Sequence, residues 1–166
     1  MLKCLVAALL LVGAASAARA EDARVDRIDI VDTGIYTVVA GAETANKDAP
    51  TGVIKSPDSF NLTERTTTIA GRVGLEFGLR YVAVGAPEGV EVPLDIVLTF
   101  PPEGLPDPTE KTPIHKTEFS RTKKIGETVY LGYGFENNWE IVPGTWTFEI
   151  FHKGQKLAEQ RFTVTR

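Results

Sequence analysis

Past residue 20 the chain carries no long 3.6-residue apolar period, but several runs alternate with period two. In VGLEFGLRYVAV, Val73, Leu75, Phe77, Leu79, Tyr81 and Ala83 share one face, with Glu76 and Arg80 on the other. VEVPLDIVLTF places Val90, Val92, Leu94, Ile96, Leu98 and Phe100 together. TVYLGYGF does the same with Val129, Leu131, Tyr133 and Phe135, and TWTFEIF with Trp146, Phe148 and Ile150. Such alternation predicts antiparallel strands with one face on a core and one in water. Turn residues punctuate the runs at intervals suited to a sandwich, and about seven to nine strands in one domain predict an all-β, antiparallel two-sheet sandwich.

Register follows from parity. A hairpin around GAPEG with a loop over Gly85–Glu88 would pair Ala83 with Val90 and Phe77 with Ile96, keeping both apolar sets on one face. Parity is equally compatible with a crossover to a second sheet. In TWTFEIFHKGQKLAEQRFTV the apolar positions Trp146, Phe148, Ile150, Ala158, Phe162 and Val164 are all even-numbered. A two-residue Lys153-Gly154 turn would set even against odd. A loop of His152, Lys153 and left-handed Gly154 restores the match and makes His152 a turn residue. Pro93 predicts an edge position for its strand. Two long connections, 40–59 and 101–113, hold Pro50, Pro57, Pro101, Pro102, Pro106, Pro108 and Pro113, which keep them out of central strands.

The opening MLKCLVAALLLVGAASAARAEDA has a short positive start at Lys3, an apolar stretch from Leu5 to Val12, and a small-x-small site at Ala18-Arg19-Ala20. It reads as a secretory signal peptide over 1–20, preceding a single domain over 21–166. The apolar stretch is too short for a membrane anchor, which needs about 20 residues. Cys4 precedes the apolar run, so it does not fit a lipoprotein. The expected compartment is the periplasm or the exterior of a bacterial cell, with no transmembrane anchor after cleavage. The only Cys leaves with the leader, so the domain relies on its core; a chain of ~150 residues buries roughly 68–70% of its unfolded surface. Lys3 and Arg19 leave too, so the negative balance deepens beyond the −4 of the whole chain. Nothing supplies the basic patch that nucleic acid requires.

Candidate chemistry is sparse. Asp32-Thr33-Gly34 matches the catalytic turn of aspartic proteases, which need two such turns so that two carboxylates share a proton. One copy per chain would demand a homodimer, and Ile35 stands where a small residue is expected. The simpler reading places Ile28 and Ile30, then Tyr36 and Val38, on a strand that Gly34 lets bend. Gly144-Thr145-Trp146 imitates a lipocalin motif but opens the penultimate strand, where a Trp after Pro143-Gly144 plugs the core. Asn61-Leu62-Thr63 fits a sequon that only a eukaryotic route would use. His115 and His152 are the only histidines, and Asp26, Asp29 and Asp32 alternate faces on a strand, so no metal set or cofactor motif forms. There is no Gly-rich phosphate loop and no Gly-x-Ser-x-Gly, and Ser56, Ser59 and Ser120 are coupled to no His by sequence.

One stretch suits ligand contact. In VYLGYGFENNWEIVPG, Tyr130 alternates out of the Leu131/Tyr133 face, and Asn137, Asn138 and Trp139 fall in a turn. Aromatics beside amides favour sugar or peptide contact; the competing reading folds Trp139 back onto the core edge.

The segment GFENNWEIVPGTWTFEIFHKGQKLAEQRFTV, with IVDTGIYTV and LTFPPEGL, resembles an uncharacterised bacterial family of exported domains of unknown function. The resemblance implies an immunoglobulin-like β-sandwich and brings no catalytic residues. The expected role is a non-enzymatic binding or interaction module, its partner an envelope protein or a small ligand. The alternatives are a small hydrophobic-ligand carrier and a homodimeric aspartic protease using Asp32.

Overall fold

A computed structural model describes residues 22–166 apart from 48, 107, 109 and 110. The expected leader over 1–20 lies outside the described residues. The strands are β1 (Arg24–Val39), β2 (Ala42–Ala45), β3 (Val53–Ser56), β4 (Ser59–Glu64), β5 (Thr68–Ala70), β6 (Glu76–Ala86), β7 (Glu91–Thr99), β8 (Lys116–Lys124), β9 (Thr128–Gly134), β10 (Gly144–His152) and β11 (Gln155–Thr165). One sheet has the order β4-β1-β6-β9 and the other β5-β11-β10-β7-β8. All pairings are antiparallel except the short β11–β5 contact. The excess over seven to nine strands comes from short pieces. Of these, β2 and β3 pair only with each other, as an arm inside the segment 40–59.

The alternation fills the space between the sheets. Phe77, Leu79, Leu94, Ile96, Trp146, Phe148, Ile150 and Phe162 are all buried. The Phe77 ring lies within 5.2–5.8 Å of Phe162, Phe135, Phe148 and Trp146, centroid to centroid. Each such aromatic removes a large apolar area from water, and burial of a side chain of this class stabilises by about 1.5–3 kcal/mol. Trp146 plugs the core as expected, its indole N–H donating to the Val142 carbonyl at 3.0 Å.

Several register expectations are corrected. No hairpin joins β6 to β7: β6 pairs with β1 and β9, while β7 pairs with β10 and β8. The chain crosses between sheets at 86–90, and both strands aim their apolar faces at the shared core from opposite sides, which parity cannot distinguish from pairing. Val73 and Val90 fall before their strands begin and are exposed.

The last hairpin turns through two residues, Lys153 (φ 49°) and Gly154 (φ 78°), both left-handed. Even parity is recovered by a bulge: Ile150 faces Ala158 while Phe151 faces Lys156, leaving Leu157 over. His152 is therefore a buried strand residue facing Gln155, not a loop residue, and its Nδ1 lies 2.9 Å from the Pro93 carbonyl. Pro93 sits on an internal strand, not an edge one. It is tolerated because β10 pairs with β7 only over Asp95–Thr99, and the His152 ring closes on the Pro93 carbonyl beyond that.

In β1 the ladder shifts at Ile30/Asp32 and again at Ile35/Tyr36, on either side of Asp32-Thr33-Gly34. A Cβ on Gly34 would lie 1.8 Å from the Glu64 carbonyl oxygen, so the close approach of β4 requires glycine there.

Candidate functional site

Two places gather polar side chains against the sandwich. The first is the outer face of the β1 sheet, where the register sets Asp32 beside Arg80 and Arg80 beside Tyr130. The Asp32 carboxylate is 1% exposed. It accepts from Arg80 Nε at 2.9 and 3.0 Å, from Arg80 Nη2, and from the Tyr36 hydroxyl at 2.5 Å. The Arg80 guanidinium holds the Asp32 carboxyl below its ordinary range, and burial with Asp32 alongside pushes the Tyr36 hydroxyl up. Asp32 is thus held ionised by a fixed cation.

The second is a cleft of about 280 Å³ at the flank. Both sheets end on this side, one at β9 and the other at β8, and the β2–β3 arm reaches across the gap. The arm turns apolar residues, Val53, Ile54 and Pro57, toward the space, opposite Leu98, Phe119 and Leu131. Two polar tethers hold it. Arg121 of β8 donates to the Ser56 hydroxyl and to the Lys55 carbonyl, each at 2.8 Å, and Lys55 pairs with Glu136 beyond β9.

The cleft's remaining polar groups differ in how far they are committed. Glu140, in the short 3₁₀ turn Asn138–Glu140, is fully buried yet accepts from Tyr133 Oη (2.7 Å), the backbone N–H of Glu136 (3.1 Å), and both the backbone (2.6 Å) and side-chain amide (2.9 Å) of Asn137. It is a structural brace. Glu76 is largely buried, and that burial raises its carboxyl above the ordinary range; Tyr130 Oη lies 3.3 Å away. Arg121 has its charge disfavoured by burial, and no carboxylate pairs with it among the described residues. Its guanidinium carbon stands 5.4 Å from the centre of the Phe119 ring.

The four residues expected as a binding surface separate. Tyr130 lines the cleft, but its ring lies against Tyr36 and Phe60, at 4.8 and 5.3 Å. It can lie flat because the next outward residue is Gly132, where a Cβ would stand 1.8 Å from the Tyr130 hydroxyl. Asn137 and Asn138 are exposed, and Trp139 is half-buried against the core. Asn137 and Trp139 line a shallower depression beside the arm tip. Sequence reasoning missed Arg121, Lys55, Glu136 and the arm. The available signal was an Arg at an inward, odd-numbered position of KTEFSRTKK, where Thr117 and Phe119 turn inward.

The chain matches the family described as Domain of unknown function (DUF3859) over residues 24–164. A solved structure of an immunoglobulin-like protein from Pseudomonas aeruginosa is similar at 24% identity and a TM-score of 0.56, covering 87% of this chain and 98% of the other. No functionally curated protein matches the chain. The family match spans nearly all of the described domain, so the chain belongs to this family of unknown function, and its fold is an immunoglobulin-like sandwich.

Proposed function

We propose that this DUF3859 domain is a non-enzymatic binding module of the bacterial envelope, and that its ligand site is the flank cleft beneath the β2–β3 arm. The observation that carries the reading is where space and uncommitted polar groups coincide. The interior is packed around Phe77, whereas the flank keeps an open volume walled by apolar side chains together with Arg121, Lys55, Glu76, Glu136 and Glu140. Ligand sites are concave and mostly apolar with a few placed polar groups, and the cleft has that character.

Export to the periplasm or beyond is supported by the N-terminal pattern of a charged start, a short apolar run and a small-x-small site. Asp32 is assigned no catalytic role, because Arg80 holds its ionised form and a protease pair must share a proton. A carrier with a hollow interior is disfavoured by the aromatic packing, so a small apolar ligand would also sit at the flank.

The test is capture from envelope extract on the immobilised protein, with proteins and small molecules identified by mass spectrometry. The same capture is run on Ile54→Trp, which fills the cleft from the arm side. A species retained by the wild type and lost from the variant supports the reading. Retention unchanged by Ile54→Trp contradicts the site, and substrate turnover abolished by a single side-chain change contradicts the non-enzymatic role.

A further inference from the structure

The charged groups around the cleft differ in how their hydrogen-bonding capacity is used. Lys55 is neutralised by Glu136, with Glu43 at 3.7 Å. The Glu140 carboxylate is taken up by four donors from Tyr133, Glu136 and Asn137. Glu76 shares its carboxyl with Tyr130 and, being buried, has its ionised form disfavoured. Arg121 is the one cation there that no carboxylate meets among the described residues. Of its five N–H donors two are used, both on neutral oxygens, Ser56 Oγ and the Lys55 carbonyl. A partly buried guanidinium without a carboxylate is costly, and it is the group best shaped to take one through two parallel hydrogen bonds.

A purely structural account exists. Inward-pointing charges on edge strands deter edge-to-edge pairing, and β8 is an edge that also turns Lys123 inward. That account explains a charge on β8. It does not explain why a guanidinium with donors left over, and no carboxylate on it among the described residues, stands at the wall of an open space.

We infer that the cleft receives a compact aliphatic carboxylate, its acid group bound by Arg121 and its hydrocarbon chain lying between Val53 and Ile54 of the arm and Leu98, Phe119 and Leu131 of the sheet edges. The volume falls just under the usual range of roughly 300–1,000 Å³ for ligand pockets, which suits a short chain, not a bulky ligand. The inference rests on the cleft being the binding site and adds the ligand's charge and shape.

Calorimetric titration of the wild-type protein near neutral pH with octanoate, octanol and octyltrimethylammonium tests it. The expected result is one octanoate per chain, bound at least ten-fold more tightly than octanol, with the cation weakest. Arg121→Gln brings octanoate to the octanol level, whereas Arg121→Lys, which keeps the charge but not the fork that clasps the arm, retains part of the preference. Equal binding of octanoate and octanol by the wild type, both lost in Ile54→Trp, overturns the carboxylate inference and leaves the cleft reading standing. Binding of none of the three probes overturns the carboxylate inference and leaves the cleft reading to the capture experiment; binding unaffected by Ile54→Trp overturns both. The comparison among probes on wild-type protein decides the question even if Arg121→Gln fails to fold.

Discussion

The interior around Phe77 and the flank around Arg121 lie in one sandwich but are built on opposite terms. In the interior around Phe77 the side chains are largely aromatic and aliphatic, the Trp146 indole N–H is satisfied, and the rings pack tilted or edge-on within 6 Å of one another. At the flank the two sheets end together, a thin arm spans the opening on a few polar tethers, and a guanidinium stands without a carboxylate among the described residues. Removing atoms from the first region leaves a void that the structure cannot close. Removing atoms from the second releases a strap. Stability therefore resides in the interior, and the proposed binding site lies where packing stops.

The largest expected effect is Phe77→Ala. Chemical denaturation should show a loss of about 3–5 kcal/mol, against a loss under about 1 kcal/mol for Ile54→Ala on the arm. Comparable losses at the two positions would break the contrast.

Arg80→Met comes next, because it strands the buried Asp32 carboxylate; removal of one partner of a buried pair costs about 3–5 kcal/mol, and Arg80's partial exposure puts the effect at the lower end. The same pair sets a pH dependence. With its folded pKa depressed, Asp32 contributes stability that is complete above the ordinary carboxylate range and is lost as pH falls through the depressed value. Arg80→Met should remove that acid-side slope in denaturation profiles. Glu76 has the opposite sign: its raised folded pKa means stability present at low pH and lost as pH rises through the raised value, so Glu76→Gln should flatten that decline.

Tyr133→Phe, which takes one donor from the buried Glu140, should cost about 1–2 kcal/mol by denaturation. Arg121→Gln acts locally: it should leave β6 and β10 amides protected while speeding hydrogen exchange in β2 and β3. Lys55→Ala should cost no more than about 0.5 kcal/mol, since its pair with Glu136 is half-exposed.

The interior was legible in the sequence because period-two alternation is its direct imprint: Phe77, Leu94, Trp146 and Phe162 all lie inward where parity puts them. Strand partnership was less legible. Two strands facing a core from opposite sheets show the same parity as two that pair, so β6 and β7 could be read as a hairpin. Parity also cannot place a bulge, and the extra residue at Leu157 stood in for a longer loop at His152. The flank left little trace. AETA and VIKS are too short and too polar to alternate, and Tyr130 signalled the cleft without revealing that its ring is spent on Tyr36 and Phe60. Arg121 owes its meaning to β8 being an edge, a property of the assembled sheets and not of the strand.

The most direct test of the division between a filled interior and a receptive flank is amide chemical-shift mapping of the protein during titration with octanoate. Perturbations confined to the arm around Ile54 and Lys55, to Phe119 and Arg121 of β8, and to Gly132 and Gly134 of β9 are the predicted result. Perturbations centred on Phe77, Leu94 and Phe148, or none at saturating octanoate, would contradict it.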